Sequence, residues 1–466
     1  MDQDHQPLPP ARQGRLAAIL LEWKTLAILG APILIAQLAQ MANGVIDTVM
    51  AGHASAEDLA GVGIGTSLWV PVLLFFIGTL NALQPTISGH RGAGQLDRIM
   101  PVTWQGLYIA GVASLVMILL LINTRPLLVF LRLDVQTADI AQGYLQAFAW
   151  GVPALVLLNA LRGLTDGLGH TRVIMVFSLV STLFNLPLNY IFIYGKLGLP
   201  AFGGVGCGWA TSLSNGIAVL ALLVYLNRSR VYAHFHLLAN WVRPDWAIIR
   251  QLLRLGLPIG FTMFVEVSMF AVIALFLAPL GPKVVAGHQI VLNIISLLFM
   301  VPLSLGMALT LRVSFLLGAG ESVRARLLAR SSLLLAASIA CVYIPFLLLT
   351  PAFLAGLYTS DDEVRAITVQ LLFYAAIFQL ADAIQVTAIN ALRGYKDTRV
   401  PMIMALFSFW CVCLPVGYVL TFTDWLGAPL GASGFWLALI LGLVLAGGLL
   451  SFRLVRVSHR AVLLAL

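Results

Sequence analysis

The stretch Asn159-Ala160-Leu161-Arg162-Gly163 returns, letter for letter, as Asn390-Ala391-Leu392-Arg393-Gly394, and each copy is followed three residues later by an aspartate, Asp166 and Asp397. A repeat at this distance in a chain of 466 residues reads as a duplication. Further pairs line up at offsets of 226 to 231. Leu29-Gly30-Ala31-Pro32 meets Leu255-Gly256-Leu257-Pro258, and Gly92-Ala93-Gly94 meets Gly318-Ala319-Gly320. Leu186-Pro187 with Tyr190 meets Leu414-Pro415 with Tyr418, and Gly204 and Trp209 meet Gly431 and Trp436. A collinear series of this kind divides the chain into two related halves.

Composition says what the halves are made of. Hydrophobic residues make up 60% of the chain and charged residues 10%, against about a quarter charged in soluble domains. Twelve apolar runs, the first at 25–48 and the last at 432–454, are each long enough to cross a hydrocarbon core as a helix. Six runs per half is an even number, so the second half starts on the same side as the first. The repeat is therefore parallel, with its pseudo-twofold axis along the membrane normal. The expected fold is an all-α membrane protein of twelve transmembrane helices in two six-helix lobes, 25–227 and 250–454. An amino-terminal segment 1–24, a basic linker 228–249 containing Pro244 and a tail 455–466 complete it.

Of the 27 Lys and Arg, only Arg125, Arg132, Lys196, Lys283 and Arg365 fall on the side away from the termini. The asymmetry places both termini in the cytoplasm. The first 23 residues lack the apolar core and cleavage site of a removable signal peptide. Basic residues spread over every loop without interleaved aromatics do not describe a nucleic-acid surface. Cys207, Cys341, Cys411, Cys413 and the eight His show no metal-ligand or redox spacing. No cofactor, no resident metal and no catalytic nucleophile are expected; the reading is a monomeric transporter in a lipid bilayer.

Sixteen of the 19 acidic residues lie at span ends or in loops, and three do not: Asp47, Glu266 and Asp382. A carboxylate inside a membrane is costly and marks an ion or substrate path. A proton, Na⁺ or an organic cation can neutralise it, and if two of these exclude each other the result is antiport. Asn43 lies one turn before Asp47, Gln379 and Gln385 lie about a turn either side of Asp382, and Asn185 and Asn189 share a helix face around Pro187. Glu266, Asp382 and Gln385 are the candidate substrate contacts. Asp47, Glu266 and Asp382 are the candidate coupling groups, and Asn185 and Asn189 form a polar site of the first lobe.

These residues occur in V-I-D-T-V-M-A-G around Asp47, F-V-E-V around Glu266, V-V-A-G-H-Q at 284–289, N-x-P-L-N-Y-I-F-I-Y-G-K at 185–196 and A-D-A-I-Q-V around Asp382. Together they resemble the multidrug and toxic compound extrusion family, in its bacterial NorM-like branch, over about 15 to 455. The resemblance implies a two-lobe antiporter that exports cationic drugs of the fluoroquinolone, ethidium and acriflavine type in exchange for H⁺ or Na⁺. It implies that Glu266 and Asp382 form the cation site of the second lobe, and Asp47, Asn185 and Asn189 that of the first. Sodium-linked relatives carry a tyrosine one turn before the Asp382 position, where this chain has Phe378; H⁺ is the expected coupling ion and Na⁺ at Glu266 and Asp382 the alternative. A flippase for a lipid-linked precursor would need basic residues deep in its cleft, whereas the deep charges here are acidic.

Overall fold

The computed structural model describes residues 15–130, 133–232, 235, 241–425 and 427–465. The first fourteen positions, Arg132, and most of 233–240 within the expected linker lie outside the described residues. Among the described residues eleven continuous helices are long and apolar enough to span a membrane, and a bent pair, taken as one span, makes a twelfth. In chain order they are α1 Leu16–Ala54, α2 Ala56–Gly92, α3 Leu96–Ile122, α4 Val135–Ala149 with Val152–Gly167, α5 Thr171–Tyr194 and α6 Gly204–Arg228. The second set is α7 Trp246–Leu280, α8 Pro282–Gly318, α9 Ser322–Leu349, α10 Asp362–Gly394, α11 Arg399–Phe422 and α12 Ala432–Leu463.

The helices reach further than the apolar runs alone. Residues 15–24 of the expected amino-terminal segment are the opening turns of α1, and most of the expected tail 455–466 is the end of α12. Glu22 explains the first extension, because at 2% exposure it is packed inside the protein and ion-paired. The 48° bend of α4 has a local cause. Pro153 cannot donate to Ala149 and its ring crowds that carbonyl, while Ser212 Oγ donates to the carbonyl of Ala147 across the break at 2.8 Å.

By contacts the chain divides into an amino unit, Pro32–Ser268, and a carboxy unit, Met1–Ala31 with Met269–Leu466. Both boundaries fall inside helices, α1 and α7, rather than in the linker 228–249. In the amino unit, a Cβ on Gly256 of α7 would stand 2.1 Å from the Thr79 carbonyl of α2. In the carboxy unit, a Cβ on Gly30 of α1 would stand 3.2 Å from Leu305 of α8. Positions 30 and 256, and 79 and 305, are both 226 apart, so each half's first helix begins among helices of the other half in the same way.

Other repeated contacts fix the register. Gly61 closes onto Ile140 and Gly287 onto Ile367. The amides of Gln95 and Glu321 bond back to the carbonyls of His90 and Leu316 at 2.9 and 2.8 Å. Gly167 abuts Ile87 and the Gln84 carbonyl, while Gly394 abuts Val313 and the Thr310 carbonyl. Gly203 and Gly431, with φ of 55° and 57°, precede α6 and α12 in the same positive-φ conformation. The offset in these pairs stays between 226 and 228.

This corrects two alignments drawn from letters alone. Gly394 corresponds to Gly167 and not to Gly163, so the repeated pentapeptides sit one helical turn out of register. Asp166 and Asp397 are accordingly not equivalent: Asp166 pairs with Arg162 in its own helix at 3.1 Å, and Asp397 with Arg453 of α12 at 2.8 Å. Gly431 corresponds to Gly203 rather than Gly204, which also separates Trp209, 38% exposed, from the fully buried Trp436. A truer signal lay nearby in Thr171-Arg172-Val173 with Met175 and Thr398-Arg399-Val400 with Met402. These are 227 apart and Pro187 and Pro415 are 228 apart. Between them α11 takes up the extra residue in a π-helical segment, Phe407–Cys413, the form in which single-residue insertions persist inside helices.

Candidate functional site

Three helices of the amino unit converge on Asp47. It lies near the end of α1 at 6% exposure; Asn185 and Asn189, both fully buried, flank Pro187 on α5; Thr211 comes from α6. Asn189 Nδ2 donates to Asp47 Oδ1 at 2.6 Å and to Asn185 Oδ1 at 3.0 Å. Asn185 Nδ2 donates to Thr211 Oγ1 at 3.1 Å, and Thr211 Oγ1 donates to Asp47 Oδ2 at 2.8 Å. The four side chains thus form a closed ring of hydrogen bonds. Cys207 Sγ adds a contact to the Asp47 backbone carbonyl at 3.5 Å.

Every hydrogen bond to the carboxylate in this ring comes from a neutral group. The contrast with other buried acids is sharp. Glu22 receives Arg312 through two bonds of 2.9 and 3.1 Å and also Arg324, and Asp166 receives Arg162. Asp47 has no Lys or Arg within ion-pair distance among the described residues. Around it, Asn43 Oδ1 and Asn189 Oδ1 are buried acceptors without a donor. Unsatisfied buried acceptors beside a carboxylate form an environment that gains from an added proton or cation.

Sequence reasoning placed Asp47, Asn185 and Asn189 together, and the structure brings them together. It missed Thr211, which completes the ring. The available signal was Thr211 with Asn215, one turn apart on α6: Asn215 Oδ1 accepts from Ser181 of α5 at 3.1 Å, continuing the polar face below Asn185. The ring has no copy in the carboxy unit. At the repeat-equivalent positions stand Ile273, Cys413, Gly417 and Leu439, all buried.

The remaining candidates are divided between the units. Glu266, half-buried on α7, belongs to the amino unit, and Asp382, 5% exposed on α10, to the carboxy unit. Along α10, Gln379 Nε2 donates to the Ile295 carbonyl at 3.3 Å while its oxygen has no partner, and neither amide atom of the buried Gln385 has one. Phe378 packs against Phe270 and Trp436 with ring centroids 6.5 and 5.8 Å apart. Its ring supplies no oxygen beside Asp382.

The chain matches the MatE family model twice, over residues 32–191 and 258–419. The two matches begin 226 residues apart and end 228 apart, the same register that the contacts fix. Among similar proteins, "Multidrug resistance protein PmpM" of Pseudomonas aeruginosa is 44% identical over 97% of this chain and 94% of its own length. "Probable multidrug resistance protein NorM" of Idiomarina loihiensis is 43% identical over 94% of this chain and 95% of its own. Among solved structures, the eukaryotic MATE transporter AtDTX14 superposes with a TM-score of 0.85 at 18% identity, covering 96% of this chain and 100% of that one. With a two-fold family match and relatives of such identity over nearly the whole chain, this protein belongs to the MatE family.

Proposed function

We propose that the protein is a secondary active multidrug efflux antiporter that exports organic cations in exchange for inward H⁺. The observation that carries the proposal is the ring around Asp47, a buried carboxylate held only by neutral donors. An uncompensated negative charge at this depth is costly, and binding a proton or a monovalent cation removes it.

The ring also makes protonation consequential. An ionised Asp47 accepts from both Asn189 and Thr211. A protonated Asp47 must donate one bond, and Thr211 Oγ1 already accepts from Asn185. Either the Thr211 hydroxyl turns its own proton away, or the new proton goes to one of the unpartnered oxygens of Asn43 and Asn189. Both choices rearrange bonds that tie α1 to α5 and α6, which links the protonation state to helix position. Glu266 within the amino unit, and separately Asp382 with Gln385 within the carboxy unit, are the acidic and amide groups proposed to meet a cationic drug. A one-for-one exchange of a monovalent cation for H⁺ moves no net charge and draws on the proton concentration gradient, whereas each further inward charge adds about 2.3 kcal/mol at 100 mV.

Na⁺ is the alternative coupling ion. Phe378 argues against it at Asp382, since a sodium shell is built from several oxygens and this side chain offers none. The proposal places the protein in a bacterial inner membrane with both termini cytoplasmic. The test is ethidium movement in proteoliposomes under an imposed proton gradient in sodium-free buffer. Movement driven by protons alone supports the reading; movement only after Na⁺ is added replaces H⁺ by Na⁺; none under either condition refutes it.

A further inference from the structure

The two ends of the repeat that lie beside the α4–α5 and α10–α11 turns are built from corresponding positions but finished differently. In the amino unit this end is closed by the chain itself. Tyr232, 2% exposed, caps it, with His170 Nδ1 at 3.1 Å from its hydroxyl and Tyr225 against its ring at 6.1 Å between centroids. Trp104 and Leu168 belong to the same apolar cluster. In the carboxy unit the positions corresponding to Met100, Trp104, Leu168 and Gly169 are Arg326, Arg330, Tyr395 and Lys396. Apolar Met100, Trp104 and Leu168 have given way to Arg326, Arg330 and Tyr395, while the guanidinium that the amino end does carry, Arg91 against Gly169, corresponds to Leu317.

The chemistry of that end points to an anion. Arg326 and Arg330 are one turn apart on α9 and are the charges that act on Tyr395, whose buried hydroxyl has no hydrogen-bond partner. Arg330 Nη2 donates to the Val455 carbonyl of α12 at 3.3 Å, which holds its guanidinium at the α9–α12 seam. One turn along α12 from Phe452, Arg456 lies over that ring at 4.2 Å. The acids of the neighbourhood are engaged elsewhere: Glu321 with Arg324, Glu22 with Arg312 and Arg324, Asp397 with Arg453. Arg326, Lys396 and Arg456 have no carboxylate at ion-pair distance among the described residues.

What lies beside these charges is lipid-facing. Phe452 and Val455 on the outer face of α12 are 55% and 42% exposed, so a headgroup at Arg326 and Arg456 would have its acyl chains against an apolar helix face. We infer that Arg326, Arg330, Tyr395 and Arg456 form a binding site for the headgroup of an anionic phospholipid, with Phe452 and Val455 beside its chains. A basic pocket between helix ends at the membrane surface is a suitable receptor for a phosphodiester, and paired guanidinium groups suit its oxygens. The tyrosine hydroxyl supplies a neutral donor that an apolar partner would leave unsatisfied.

The test is native mass spectrometry of the full chain, released from nanodiscs containing equal amounts of phosphatidylglycerol and phosphatidylcholine. The wild type is expected to retain phosphatidylglycerol at least tenfold more than phosphatidylcholine. Arg326→Gln with Arg456→Gln should cut that preference at least fivefold, and Tyr395→Phe about twofold. Arg125→Gln, which removes one positive charge, as Arg456→Gln alone does, from an exposed ion pair with Asp139, should leave it unchanged. Size-exclusion profiles and thermal unfolding establish that each variant is folded; if the double variant is not, Tyr395→Phe and Arg456→Gln singly carry the test. Unchanged retention in folded site variants, or equal loss in Arg125→Gln, overturns the assignment. Displacement of the lipid by millimolar inorganic phosphate would also overturn it, identifying a site for free phosphate instead.

Discussion

At the scale of single residues, the ring around Asp47 makes separable predictions. Asp47→Asn keeps the size of the side chain and an oxygen for Asn189, so the protein should insert and fold. It cannot be ionised, and proton-driven ethidium transport should fall to the level of empty liposomes; transport at wild-type rate would remove Asp47 from the mechanism. Thr211→Val keeps the shape but deletes the hydroxyl that links Asn185 to Asp47. Two buried polar atoms then lose a partner, at about 1–3 kcal/mol each. Its unfolding temperature in detergent should drop clearly, while Thr211→Ser, which keeps the hydroxyl, should recover most of the loss. Equal stability of the valine and serine variants would mean that the hydroxyl bonds contribute nothing. Asp47, Asn185 and Asn189 were legible in sequence because carboxylates and amides are rare inside apolar runs. Thr211 was not, because a threonine in a membrane helix usually bonds its own backbone, as Thr86 and Thr368 do here, and only the three-dimensional partner distinguishes it.

At the scale of elements, the repeat is written in close contacts more reliably than in identical letters. The pentapeptides around Arg162 and Arg393 match perfectly and are one turn out of register, since a helix end can be built from the same residue types at neighbouring turns. Glycines are better markers where a neighbouring backbone forbids a side chain. Gly256 is the strictest case, its Cβ position 2.1 Å from the Thr79 carbonyl, whereas Gly30 would meet only the end of the Leu305 side chain at 3.2 Å. Gly256→Ala should therefore cost about 1–3 kcal/mol through forced separation of α7 from α2, and Gly30→Ala should cost less because Leu305 can rotate. Gly63→Ala, in open space on α2, should be neutral or slightly stabilising through helix propensity. Unfolding temperatures of the three proteins check the order; a Gly256→Ala variant as stable as Gly63→Ala would show that the crowding is relieved without cost. The twelve spans and their parity were readable from apolar length alone. The helical nature of residues 15–24 was not, because Glu22 and its partners Arg312 and Arg324 are nearly three hundred residues apart in the chain.

At the scale of the molecule, that same ion-pair cluster defines what α1 does. The helix starts in the carboxy unit, where Glu22 binds Arg312 and Arg324, and ends in the amino unit, where Asp47 closes the polar ring. Between them Pro32 stands at the unit boundary and leaves the Ile28 carbonyl without its helical donor, a position where a helix bends easily. A change of protonation at one end of α1 therefore acts on a helix whose other end is clamped. Removing the clamp separates ion chemistry from movement. Glu22→Gln deprives the buried Arg312 of its counter-charge, and breaking a buried pair from one side costs about 3–5 kcal/mol, so the unfolding temperature should fall. The ring at Asp47 shares no residue with this cluster, and proton release on adding ethidium to the detergent-solubilised, folded variant should persist. Export per folded molecule in proteoliposomes should nonetheless decrease at least several-fold, because the opening turns of α1 would no longer be held. Undiminished export by a destabilised Glu22→Gln protein would show that the cluster serves stability alone; loss of proton release would show that the two ends of α1 are not separable.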